Sequence, residues 1–237
     1  MAQDEGRNSI NLEIVMELNI SITSDFICPW CFVAERRLAK ALAMLPEGVA
    51  VRAHWRPFEL NQDMPAQGMD RRTYRTMKFG SWERSQAMDE HTVQAAQGEG
   101  IAFDYAAIVK TPNTFLAHRL MQLAEREGVA TAVAGAVFAA YFEQGRDIGE
   151  ANVLVDIAAE NGLDREAAAT FLGSDDGARE VRAAQQAMRA SGVRSVPMID
   201  TGAEVVSGAQ TIEHFERALQ RAAESFNACE DGMCSLD

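Results

Sequence analysis

The chain has 237 residues, 47% of them apolar, and a net charge of −13. That length suits one domain carrying an insertion, or two small domains. An acidic chain with no clustered stripe of Lys and Arg is unlike a surface built to track phosphates, so no nucleic-acid partner is expected. No apolar run approaches the roughly 18 residues that cross a bilayer, so no membrane partner is expected either.

Residues 1–15 mix charged and amide side chains without an apolar core or a small-residue cleavage site. They read as an N-terminal extension rather than a signal peptide, and a cytoplasmic protein is the expectation. From Met16 to Ser24, Leu18, Ile20 and Ile22 alternate with polar residues at the period of a half-buried strand. Pro29 to Leu45 then places Phe32, Leu38, Ala41 and Leu45 near helical spacing. Pro29 suits the first helical position, where its missing N–H costs nothing, and this leaves Cys28 as the cap. A second strand is expected over Val49 to Phe58, after the Pro46-Glu47-Gly48 turn.

The stretch 61–190 is Ala-rich, charged and periodic at three to four residues, and reads as six or seven helices. Within it, Arg71, Arg72, Arg75 and Lys78 have helical spacing beside acidic neighbours, the pattern of a solvated helix face. Asn113, before Thr114 and Phe115, is a natural helix cap. Two short strands are expected over Val193 to Asp200 and Glu204 to Ser207, then an amphipathic helix from Thr211 to Ala223. Neither β-rich end can build a sheet alone, so the two ends are expected to share one.

Chemistry concentrates in the four cysteines, which form one close pair near each end of the chain. Two separate pairs suggest reactivity rather than the stapling of a small secreted scaffold. Disulfide exchange needs a thiolate, a second thiol that resolves the mixed disulfide, and access for a partner's sulfur. The sequence Cys28-Pro29-Trp30-Cys31 at a helix start meets these needs. The first-turn N–H groups favour an anion there by about 0.3–2 kcal/mol. Trp30 adds no positive charge, which points to a moderate oxidant or isomerase. The competing reading is a structural zinc site completed by Cys229 and Cys234. It is disfavoured by the separation of the pairs and by the acidic Glu230-Asp231-Gly232-Met233 spacer, so neither a metal nor another cofactor is expected.

Ser195-Val196-Pro197-Met198 precedes the late strands and is a candidate cis X-Pro site. Next to a CxxC motif, Pro29, Trp30, Val196 and Pro197 would contact substrate. Asp25, three residues before Cys28, could assist proton transfer or simply form a turn. His54 and His118 lack metal-ligand spacing and read as packed or surface histidines.

These pieces resemble the cytoplasmic FrnE-type branch of the DsbA family in combination. They are Asp25-Phe26-Ile27-Cys28-Pro29-Trp30-Cys31, Arg56-Pro57-Phe58-Glu59-Leu60-Asn61, Asn113-Thr114 with Ala117-His118-Arg119, Gly192-Val193 with Val196-Pro197, and Ser207-Gly208-Ala209-Gln210. The resemblance implies an α/β fold: a thioredoxin-like domain over 16–60 and 191–226 with a large all-helical insertion over 61–190. It implies thiol-disulfide oxidoreductase or disulfide isomerase activity on protein or small-thiol substrates, with Cys28 attacking, Cys31 resolving and a cis bond at Pro197. A small-molecule substrate is compatible with it, as is a homodimer. Cys229 and Cys234, in a tail over 227–237, resemble an auxiliary redox pair of some FrnE-type proteins. Glutathione-dependent transferases and hydroxychromene-carboxylate isomerases share the architecture, but typically carry Ser where Cys28 stands.

Overall fold

A computed structural model describes residues 16–230. The extension 1–15 and Cys234 lie outside the described residues. Strand β1, Met16–Ser24, pairs in parallel with β2, Val49–Pro57, over its whole length. Antiparallel β5, Met198–Asp200, lies on the other side of β1, and β6, Val205–Ser207, completes the order β2-β1-β5-β6. Leu18, Ile20 and Ile22 point into the core, as their alternation requires. Strand β5 begins at Met198 rather than at Val193, because Pro197 lacks the N–H a ladder needs.

Helix α1, Pro29–Leu42, connects β1 to β2 and buries Phe32, Val33, Leu38 and Ala41. Seven helices lie between β2 and β5: α2 Arg71–Phe79, α3 Trp82–Ala95, α4 Phe115–Arg126, α5 Ala130–Phe142, α6 Ala151–Glu160, α7 Arg165–Gly173 and α8 Ala178–Ala190. This stretch also contains a two-residue ladder, β3 Met69–Asp70 with β4 Lys110–Thr111, so it is helical but not wholly so. Asp70, at the end of β3, caps α2 by accepting from the Thr73 N–H at 2.8 Å. Helix α9, Ile212–Glu230, packs on α1 and continues past the expected boundary at 226. The backbone of Cys229 therefore belongs to its last turn rather than to a separate tail.

Packing joins the two parts of the chain without a gap. Phe26 and Phe32, from β1's end and α1, meet Phe138 of α5 at centroid distances of 5.0 and 5.4 Å. Arg37 of α1 ties three segments together, donating to Glu99 Oε1 at 2.6 Å, to the Ala95 carbonyl at 2.7 Å and to the Ala209 carbonyl at 2.8 Å. Buried Arg119 donates to the carbonyls of Phe171, Ser174 and Asp176, satisfying the C-terminal end of α7. Asn113 caps α4 through its side chain: its Oδ1 accepts from the Phe115 N–H at 2.9 Å, while the boundary residue Thr114 makes no side-chain cap bond.

Candidate active site

Cys28 sits at the N-cap of α1 in an extended conformation, with Pro29 as the first helical residue. The turn leading into it is closed by the Cys28 N–H donating to the Asp25 carbonyl at 3.0 Å. Cys31 lies one turn along, its N–H donating to the Cys28 carbonyl at 3.0 Å. Both cysteines are free and buried, with exposures of 5% and 2%. Burial pushes the Cys31 thiol well up, and the neighbouring Cys28 sulfur adds to this, while the Ser24 hydroxyl and the Asp25 backbone pull the other way. The inner thiol is therefore held protonated beneath the outer one.

The Val196–Pro197 peptide bond is cis. The Val196 carbonyl lies 3.7 Å from Cys28 Sγ and accepts from the thiol. The Pro197 carbonyl in turn accepts from the Gly208 N–H at 2.9 Å, where Gly208 holds a φ of +80° that only glycine adopts at little cost. This contact explains why the Ser207-Gly208 segment follows the strands: it fixes the loop beside Cys28. Val196, Pro197, Cys28 and Cys31 are thus brought together from positions about 165 residues apart in sequence.

Asp25 is fully buried and splits its carboxylate between two neighbours. Its Oδ2 accepts from the Leu60 N–H at 2.7 Å, and its Oδ1 lies 3.6 Å from Nε2 of buried His118. Leu60 belongs to the Arg56–Asn61 segment, which is held from behind. Glu59 accepts from Gln185 at 2.8 Å through its side chain and from Arg189 at 2.6 Å through its carbonyl. Burial raises the Glu59 carboxyl above its ordinary value, with Gln185 opposing. His118 is packed, against Phe26 at 5.2 Å, whereas His54 is a half-buried partner of Asn19 at 3.2 Å.

The basic run on α2 is a solvated face only in part: Arg72 and Lys78 are exposed, whereas Arg71 and Arg75 turn inward. Arg71 is 4% exposed, and Arg71 and Arg75 each donate to one oxygen of Asp89 on α3 at 2.7 Å. Arg75 also donates to Ser85. With Tyr74, Lys78, Tyr105 and Tyr141 these residues line a cavity of about 220 Å³ that reaches Cys28, Pro29 and Trp30. Trp30 meets His91 of α3 edge-on at 5.3 Å at this end of the motif. Only the spacing of Arg71, Tyr74, Arg75 and Lys78 on one helix face could have signalled this wall, and the same spacing describes a solvated surface equally well.

Residues 19–220 match the model of the DSBA-like thioredoxin domain. The chain belongs to this family. A crystal structure described as a probable DsbA oxidoreductase from Streptomyces coelicolor is 34% identical, covers 87% of this chain and 90% of that one, and superposes with a TM-score of 0.78. The uncharacterized protein YwbO of Bacillus subtilis is 27% identical over 86% of this chain and 96% of its own length. The glutathione-bound cytosolic disulfide reductase DsbM of Pseudomonas aeruginosa is 21% identical, covers 90% of this chain and all of that one with a TM-score of 0.60, and shares the fold. The family assignment agrees with the DsbA-like thioredoxin fold and with an oxidoreductase-type enzyme. Among the described residues no helix is long and apolar enough to cross a membrane, and no three His, Cys, Asp or Glu side chains are grouped to hold a metal.

Proposed function

We propose that this DSBA-like protein is a cytoplasmic thiol-disulfide oxidoreductase and disulfide isomerase of the FrnE type, working through Cys28 and Cys31. The observation that carries the reading is the stacking of an outer thiol at the α1 N-cap, 3.7 Å from the Val196 carbonyl, over a second, deeper thiol held protonated. The Cys28 thiolate attacks one sulfur of a substrate disulfide and expels the other as a thiolate. Cys31 then loses its proton and attacks Cys28, releasing the second substrate thiolate and closing the Cys28–Cys31 disulfide. Two electrons pass from the dithiol to the substrate. Pro29, Trp30, Val196 and Pro197 form the contact surface, and Cys229 with Cys234 serves as an auxiliary pair that exchanges electrons with the main motif.

The thioredoxin-like part comprises 16–60 and 191–226, with 61–190 inserted. The dithiol favours this reading over glutathione-dependent isomerase or transferase activity, which needs no resolving thiol. The test is reactivation of a scrambled disulfide protein, together with insulin reduction. Wild type is expected to be active, Cys28→Ser inactive, and the double Cys229→Ser, Cys234→Ser variant reduced. An inactive wild type, or an active Cys28→Ser variant, overturns the proposal.

A further inference from the structure

The cavity beside Cys28 carries a charge opposite in sign to that of the chain as a whole. Arg71, Arg75 and Lys78 face it with a single carboxylate, Asp89, in a chain whose net charge is −13. Both Asp89 oxygens are already engaged by the two guanidiniums, so that carboxylate neutralises one cation and leaves the wall positive. Tyr105 and Tyr141 do not offset the excess: burial holds both phenols above their ordinary range, so they remain neutral hydrogen-bonding groups. Tyr105 is bound to the Thr92 hydroxyl at 2.5 Å, and Tyr74 receives the Lys78 ammonium at 2.7 Å. Apart from Thr111, the rest of the lining is apolar or aromatic, including Phe79, Met88, Ile108 and Phe142.

A guanidinium has five N–H donors in a planar fork suited to a carboxylate. Arg71 gives one hydrogen bond, to Asp89, and lies against the faces of Trp82 and Tyr105 at 5.5 and 5.2 Å. Arg75 spends Nε and Nη2 on Ser85 and Asp89. Donors therefore remain for a ligand. The size also selects, because about 220 Å³ is below the ~300–1,000 Å³ of drug-sized sites and suits one compact ring rather than a peptide segment.

Resting on the proposed dithiol chemistry, we infer that this cavity makes Cys28 selective for small disulfides whose attacked half has a compact aromatic or apolar body and a carboxylate. The body fills the apolar wall, the carboxylate meets the Arg75 and Lys78 end, and the attacked sulfur is presented to Cys28. In the reaction, the Cys28 thiolate forms a mixed disulfide with the bound half and expels the other half as a thiolate into solvent. Cys31 then displaces the bound half as its thiolate and closes the Cys28–Cys31 disulfide. Both electrons come from the reduced protein, and the thiol protons leave to solvent or to the departing thiolates.

The test is a single-turnover reaction of pre-reduced full-length protein with three probes: 5,5′-dithiobis(2-nitrobenzoate), uncharged 4,4′-dithiodipyridine, and oxidised glutathione. Each rate is divided by that of dithiothreitol with the same probe, which removes intrinsic reactivity. A hydrogen bond to a charged group contributes about 1.5–3 kcal/mol, so the normalised preference for the carboxylated aromatic over the uncharged one is expected to be about 10- to 100-fold. Lys78→Met and Arg75→Met should each lower that preference by about tenfold or more. Arg179→Met, which removes an exposed charge on α8, should leave it unchanged. Far-ultraviolet circular dichroism checks that each variant is folded, and the three-probe comparison on wild type needs no variant. A preference at or below unity, one unaltered in folded Lys78→Met and Arg75→Met, or faster reaction with oxidised glutathione overturns the selectivity while leaving the dithiol chemistry intact. Failure of Cys28 to react with any probe overturns the dithiol reading itself.

Discussion

Replacing Asp89 by Ala removes the carboxylate shared by the Arg71 and Arg75 guanidiniums, and the structure gives its cost. Asp89 takes 2.7 Å hydrogen bonds from Arg71 and Arg75, whose side chains are 5% and 13% exposed. Removing one partner of such a buried pair costs about 3–5 kcal/mol, because a charge stays desolvated without its counter-ion. Here the two cations are left facing each other across α2. Arg71 stays over Trp82 and Tyr105 and Arg75 stays on Ser85, contacts common to both proteins that cancel in the difference. A loss of about 3–5 kcal/mol is therefore expected, or about 6–20 °C in melting temperature for a chain of this size. Urea unfolding followed by both tryptophan fluorescence and circular dichroism measures it. The exposed cap variant Asp70→Ala serves as a control and should lose only about 1 kcal/mol. Asp89→Ala losing under about 1 kcal/mol, or recovering fully in molar salt, would refute the buried-pair account, because only exposed pairs are strongly screened.

Three further outcomes follow from other parts of the molecule. Glu35 is buried on α1 with its carboxyl raised by desolvation, only partly opposed by Arg36, so the folded state binds its proton more tightly than the unfolded chain does. Stability from this group is complete below the unfolded value and falls as pH rises through the folded one. Glu35→Gln should accordingly raise the urea midpoint near pH 7 and change it little below about pH 4; an equal effect at both would contradict the assignment. The raised Cys31 thiol predicts that disulfide closure, followed by Trp30 fluorescence in single turnovers, accelerates about tenfold per pH unit upward from neutrality. A plateau below about pH 8 would mean that Cys31 is already ionised there. Gly145 holds a φ of +65° with the space for a Cβ blocked by the Ala107 carbonyl. Gly145→Ala should cost more than the about 1–2 kcal/mol of a left-handed residue alone, whereas Gly98→Ala, with the same handedness and open space, should cost only that much. Equal losses would show that the close approach is unimportant.

Much of the architecture was legible because it follows local rules. Alternation placed Leu18, Ile20 and Ile22 on one face of β1, and the position of Pro29 set the start of α1 with Cys28 as its cap. The placement of Cys28 and Cys31 within one turn was equally legible, since CxxC spacing and a helix start are both features of one short segment. The late strand came out too long because periodicity does not register the missing N–H of Pro197. Asn113 was legible as a cap, since an Asn side chain accepts from the N–H two residues on, a rule of local sequence.

The surroundings of the dithiol were decided only by tertiary structure. Asp25 and His118 look unrelated in sequence, and they meet because α4 packs against β2, which lies parallel to the β1 strand that Asp25 follows. Arg71 and Arg75 carry the same helical spacing as a solvated face, yet α3 brings Asp89 against them and turns the face into the wall of a cavity at Cys28. Residue type and spacing along one segment determine which face a helix offers. Whether water or another helix meets that face depends on desolvation balanced between segments, and no single segment contains that information.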